Sequence, residues 1–230
     1  MPTVQNADRR GGIAGLLFLA LLVVQAVLMG EPPSPNAPAE TIGAWMTDHR
    51  TQVLTGSYLI VFATAFFIVF VVGLCRRLET AGGDSDVTMV ARLAALLNGS
   101  VYLALSAVQV GMFYLVPHGD ANVVRTLNAV VFVGGNLACI PSALFLLAIG
   151  WAARGSSAPR WLSWASLILA PIQLAAAACV AQTGTFSPTG PVVMVGGLLL
   201  FFVWVLAASV LLLKRPAADG VATPAAGGRR

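Results

Sequence analysis

Six apolar runs, each about as long as a bilayer's hydrocarbon layer is thick, follow one another along this chain, with basic residues at alternate connections. No other feature restricts the fold as strongly. A spanning helix needs about 20 mostly apolar residues. The runs cover residues 12–30, 54–75, 89–116, 123–151, 161–182 and 191–213. Composition agrees, with 58% hydrophobic and only 10% charged residues, where a soluble domain carries about 25% charged. Lipid offers the backbone no hydrogen-bond partners, so runs of this kind must be helices. The expected fold class is all-α: a polytopic transmembrane helix bundle of about six spans, one domain over residues 12–213. No length remains for a separate soluble domain.

The basic residues orient the bundle. With the first end inside, the inner segments carry Arg9, Arg10, Arg76, Arg77, Arg92, Arg154, Arg160, Lys214, Arg215, Arg229 and Arg230, and the outer side only Arg50 and Arg125. Eleven against two is a strong positive-inside bias. Both termini are therefore expected in the cytoplasm, as an N-terminal segment 1–11 and a disordered Ala/Gly/Pro-rich tail 214–230. The net charge of +4 reads as topology signalling rather than nucleic-acid binding. Trp151, Trp161 and Trp164 fall at the inner interface, and Trp45, Tyr114 and Phe186 near the outer one, as in aromatic belts. Twelve of the thirteen basic residues are Arg, which suggests a GC-rich bacterial genome and hence the cell (plasma) membrane.

Arg9-Arg10 before an apolar run also describes a signal peptide. The run exceeds the usual 7–15 residues or so and lacks a small-x-small exit, so a retained helix is expected. The longest connection, 31–52, holds Pro32, Pro33, Pro35 and Pro38, which keep its first half extended. Asn36 is placed to cap a short helix there. Ile42, Trp45, Met46 and His49 then share one helical face, which predicts a short amphipathic helix lying in the outer interface. Gly82-Gly83 marks a turn. The turn at 117–120 makes a helical hairpin, with Asp120 or Asn122 as the next cap.

Ionisable groups at membrane depth usually mark function, because burying a charge is costly. None falls near the midplane here. That argues against ion-coupled transporters, retinal pumps and voltage sensors, and two surface histidines rule out an intramembrane bis-His haem. What remains is neutral polarity. Asn98, Tyr102, Ser106 and Gln109 form one stripe. Asn128 and Asn136 share a face of the next helix, and Ser163, Ser166 and Gln173 align on the fifth. Pro141 and Pro171 each free a carbonyl one turn earlier, at Leu137 and Leu167. Such a seam serves as glue between helices, each pair worth about 0.6–2 kcal/mol, with Gly134, Ala138, Ala175 and Cys179 allowing close approach. The alternative is a small cavity for a neutral or amphiphilic ligand.

A second constellation lies outside: Asp48, His49 and Arg50 before the second span, His118 and Asp120 after the third. Histidines and carboxylates that converge can hold a metal or exchange protons, although solvated loops account for them and Asp120 serves as a cap. Cys75, Cys139 and Cys179 have no metal or redox spacing and read as small hydrophobes. No nucleotide, nucleophile-elbow or zincin motif is present, and no cofactor is expected.

Residues 10–18, Arg-Gly-Gly-Ile-Ala-Gly-Leu-Leu-Phe, resemble the opening of a bacterial family of about six-helix, multi-pass membrane proteins of unknown function. The acidic, proline-bearing first outer loop is similar too, as is Ala158-Pro159-Arg160-Trp161-Leu162 before the fifth span. The resemblance implies a multi-pass topology and carries over no functional residue. Three classes of function follow, in order of expectation. First is a non-enzymatic structural or interaction protein, with the lipid bilayer and other membrane proteins or itself as partners. Second is a permease or binder of a neutral or amphiphilic small molecule or lipid, acting through the seam. Third is an enzyme with an outward His/Asp site.

Overall fold

A computed structural model describes residues 4–116, 120–179, 181, 184–187 and 189–214. The elements are α1 (Val4–Met29), α2 (Ala39–Asp48), α3 (Arg50–Thr80), α4 (Ser85–Leu115), α5 (Ala121–Leu137), α6 (Cys139–Arg154) and α7 (Arg160–Ala177). A π-helical stretch (Val192–Leu199) then leads into α8 (Leu200–Leu213). No strand occurs among the described residues. Five helical stretches are long and apolar enough to cross a bilayer: Asp8–Met29, Arg50–Thr80, Ser85–Leu115, Asn122–Arg154 and Val192–Leu213. Large apolar side chains face outward, Val27 at 76% and Tyr114 at 80% exposure among them. A soluble monomer rarely presents so much, and the architecture is compatible with a helical membrane bundle.

Several boundaries differ from the sequence reading, each for a local reason. Helix α1 begins at Val4 rather than 12, because Asp8 is drawn inward to Arg77 of α3 (3.0 Å) and extends the helix past the apolar run. Helix α7, the fifth expected span, ends at Ala177 rather than 182 and is not among the five; Ala178 takes the C-cap and the chain turns away. The fourth run is two helices meeting at Ala138, with Cys139-Ile140-Pro141 opening the second. Asn36 is not the cap of α2; that position belongs to Pro38, with no side-chain cap bond, while the Asn36 amide bonds Ser34 Oγ. Asp84 caps α4 and Asp120 caps α5 through hydrogen bonds to the following amides. Gly82 turns the chain between α3 and α4 at φ +91°, a conformation that favours glycine.

The apolar stripe of α2 is covered by protein. Ile42 and Met46 are buried with Met29, Val53, Met112, Phe113 and Val124, so the first long connection folds onto α3, α4 and α5. Trp45 stacks on His49 with ring centroids 4.9 Å apart.

The two ends of the bundle differ. At the end holding Arg9, Arg77 and Arg154, α1, α3 and α8 approach closely through glycine. A Cβ on Gly11 would lie 2.9 Å from Gly73 Cα, and one on Gly12 would lie 2.8 Å from the Ser209 carbonyl of α8. Small residues let membrane helices gain contact where no hydrophobic force drives them together. Glu79 bonds Arg92 across the α3–α4 turn (2.8 Å), and the Ser157 amide bonds the Ala81 carbonyl (2.9 Å). The start of α1 and the end of α8 therefore lie side by side at this basic end. Inward from it, Phe18, Phe67, Phe70, Phe145, Phe201 and Trp204 form the aromatic centre of the core.

Candidate functional site

Beyond that aromatic layer the helices part around a cavity of about 650 Å³ that reaches the far end of the bundle. Its floor includes Phe67, Phe201 and Ser142, and its mouth includes Glu31, Pro32, Ser34 and Thr189 in the connecting segments. The volume lies within the range of small-molecule sites, about 300–1,000 Å³. Aromatic side chains line it from α1, α3, α4, α5 and α8: Phe18, Phe67, Tyr102, Phe132, Phe201 and Phe202.

Four residues of the expected seam meet in this cavity: Asn98, Tyr102, Asn136 and Gln173. Asn98 is 4% exposed and donates through Nδ2 to Ser142 Oγ at 2.6 Å. Ser142 in turn donates to the Ala138 carbonyl at 3.1 Å. Asn136 Nδ2 donates to the Cys179 carbonyl at 3.1 Å. Gln173 is 1% exposed, and its Nε2 donates to the Gly197 carbonyl at 2.6 Å. Each of these three amides thus ties two segments together with one end, Asn98 and Gln173 joining helices and Asn136 holding the chain just past α7. The other ends of two of them, Asn98 Oδ1 and Gln173 Oε1, are buried with no hydrogen-bond partner. Most buried polar atoms in proteins find one.

The remaining seam residues stand apart. Ser106, Gln109 and Asn128 do not line the cavity. Ser106 Oγ and Asn128 Nδ2 are buried and unpartnered, and Gln109 is half-buried. Ser163 and Ser166 act as glue: Ser163 donates to the Gly150 carbonyl of α6 (2.8 Å), and Ser166 accepts from Trp204 Nε1 of α8 (3.0 Å). The side-chain donors reach carbonyls at Ala138, Cys179, Gly197 and Gly150, not the Leu137 and Leu167 carbonyls expected from the prolines. Of the small residues expected at contacts, Gly134 meets Leu105 and Cys179 is buried. Ala175 faces outward, and its neighbour Ala176 meets Gly197 instead.

Helix irregularities gather around the same space. Ala138 breaks α5 from α6, Pro171 sits inside the continuous helix α7, and the Val192–Leu199 stretch is π-helical. Cys139, Gln173, Val193 and Gly197 from these three places all line the cavity. π-Helical turns are rare and occur often at functional sites. Sequence reading missed Ser142, Thr64, Gly99, Gly135 and Glu31 as lining residues. Ser142 alone carried a signal, as a hydroxyl beside Pro141. Of the lining glycines Gly135 has the most room, since a Cβ there meets nothing within 4 Å.

The second constellation does not assemble among the described residues. No group of three or more His, Cys, Asp or Glu side chains able to hold a metal occurs there. His118 lies outside the described residues. His49 Nδ1 sits 3.0 Å from the Trp45 carbonyl, Asp120 is committed to the Asn122 amide at 2.8 Å, and Asp48 closes α2. Comparison with protein-family models, curated proteins and solved structures finds no match for the chain.

Proposed function

We propose that the chain is a bacterial plasma-membrane protein that binds, and passes, a small amphiphilic molecule through the cavity between its helices. The observation that carries this reading is the pair of buried, unpartnered acceptors, Asn98 Oδ1 and Gln173 Oε1, on the wall of an aromatic-lined cavity of ligand size. Glue alone leaves them unexplained, because polar side chains that only join helices gain nothing from an empty partner position. The cavity therefore raises the permease or binder reading above the structural or interaction reading that the sequence favoured. Broken and π-helical segments at membrane depth are tolerated where they line a cavity, and here the break at Ala138 and the π-helical stretch both border one. The outward His/Asp enzyme remains the last of the three readings.

In this reading α7 is the sixth span. Its 18 residues rise about 27 Å at 1.5 Å each, close to the roughly 30 Å hydrocarbon layer. The basic end faces the cytoplasm with both termini, following the arginine bias, and the cavity opens outward. Helix α2 then caps the outer ends of α3 to α5. The exposed Trp151, Trp161 and Trp164 sit in the inner interface.

The test uses a wall residue with room to grow. Gly135→Phe fills the cavity, and Gly111→Phe is its matched control, since Gly111 also has open space at Cβ and does not line the cavity. Protein purified from host membranes is extracted, and the small molecules released are weighed by mass spectrometry. A species present at near-equal molar amount in the wild type and Gly111→Phe, and lost in Gly135→Phe, is the expected result. Identical extracts from all three would remove the proposal.

A further inference from the structure

We infer that the cavity selects amphiphiles whose polar end donates hydrogen bonds, an amine or an alcohol, over carboxylates and phosphates on the same apolar body. The inference deepens the cavity reading proposed above and rests on it.

The orientation of two amides decides the chemistry. A backbone carbonyl can only accept, so Gln173 must present its NH₂ to Gly197 and is left with Oε1 free. Ser142 places its hydroxyl proton on the Ala138 carbonyl (3.1 Å), and in that arrangement its oxygen accepts from the Asn98 NH₂ (2.6 Å). Oδ1 is again the free atom. Turning the Gln173 amide over would set acceptor against acceptor, and turning Asn98 over would take the Ser142 proton away from the Ala138 carbonyl. The two unsatisfied positions are therefore both acceptors, on side chains at most 4% exposed.

Charge points the same way. No Lys, Arg or His occurs among the described lining residues, and Glu31 at the mouth carries the only formal charge. An anion entering here would shed its water, find no countercharge and face two carbonyl oxygens. An ammonium would pass a carboxylate, meet acceptors and sit among aromatic rings, whose faces attract cations. A hydroxyl would satisfy one acceptor without charge. A site built around buried hydrogen-bonding groups rejects analogues that leave those groups unpaired.

The experiment uses full-length protein in lipid nanodiscs and three probes with one body: phenylbutylamine, phenylbutanol and phenylbutanoate. Affinities are read by isothermal titration at neutral pH, with empty nanodiscs subtracted. The expected order is amine, then alcohol, then carboxylate, the first at least about tenfold tighter than the last. Asn98→Leu and Gln173→Met should each weaken the amine by about tenfold, and Gly135→Phe should abolish binding. The two amide variants sit on different helices, so one remains informative if the other elutes as aggregate. Equal affinity for amine and carboxylate, or an amine affinity that neither amide variant changes, would overturn the selectivity. The cavity reading would survive that outcome as long as Gly135→Phe still blocks binding. Failure of all three probes to bind, or binding indifferent to Gly135→Phe, would overturn both.

Discussion

The two ends of this bundle are built from the same helices and solve opposite problems. At the basic end α1 meets α3 and α8 through Gly11, Gly12 and Gly15, ion pairs join α1 to α3 and α3 to α4, and serine hydroxyls are partnered. At the far end the same α1 presents Phe18, Leu22 and Gln25 to a cavity. Among the described residues, four of the five buried unpartnered side-chain atoms lie from mid-bundle to this end, on Asn98, Ser106, Asn128 and Gln173; the fifth, Asp8 Oδ1, is at the basic end. The difference teaches that neutral polar residues in membrane helices have two uses. Where both ends of the side chain are occupied they are fasteners, and on the cavity wall, where Asn98 and Gln173 each keep one buried end without a partner, the proposed reading makes them recognition groups.

Substitutions that exchange the character of the two ends test this contrast. The largest effect is expected at Gly15, where a side chain would collide with Ser209 and Phe70. Gly15→Leu should destabilise by about 3 kcal/mol, read as a lower melting temperature in detergent; an unchanged melt would mean that α1 and α8 are not in contact there. Next is Asp8→Asn, which removes the charged partner of Arg77 from a largely buried pair and should cost about 2 kcal/mol. Denaturation in mixed micelles would show it, and added salt should diminish the difference. Ser142→Ala should cost only about 1 kcal/mol, because Asn98 loses its anchor but gains freedom to turn. It should also blunt the preference for amine over carboxylate, since an unpinned Asn98 can present its NH₂ to the cavity. Gly135→Phe should change stability least, within about 0.5 kcal/mol, while removing ligand binding.

Much of the scaffold was legible in the sequence, because lipid leaves the chain few options. Apolar runs of spanning length, the cap at Asp120, the turn at Gly82 and the gathering of Asn98, Asn136 and Gln173 all follow from period and position, while the cap at Asp84 was not read from the sequence. What escaped depends on contacts between distant segments. Nothing local tells that Asp8 belongs to Arg77 rather than to a tail, or that the stripe of α2 faces α5 rather than lipid. The π-helical stretch at 192–199 has the same composition as an ordinary span, and only the Gln173 bond to Gly197 reveals its use. Ser106, Gln109 and Asn128 obey the same spacing as the true lining residues, so periodicity alone could not separate them. The division is made by where the helices part, beside the break at Ala138 and the π-helical stretch.

The central claim is that the space between Asn98 and Gln173 is held open for a ligand. A density map of the protein in nanodiscs made from its native membranes, enlarged by a bound antibody fragment, tests it most directly. The account predicts non-protein density within hydrogen-bond distance of Asn98 Oδ1 and Gln173 Oε1, absent from the Gly135→Phe variant. A bundle whose helices have closed over that space, with both amide oxygens bonded to protein, would contradict it.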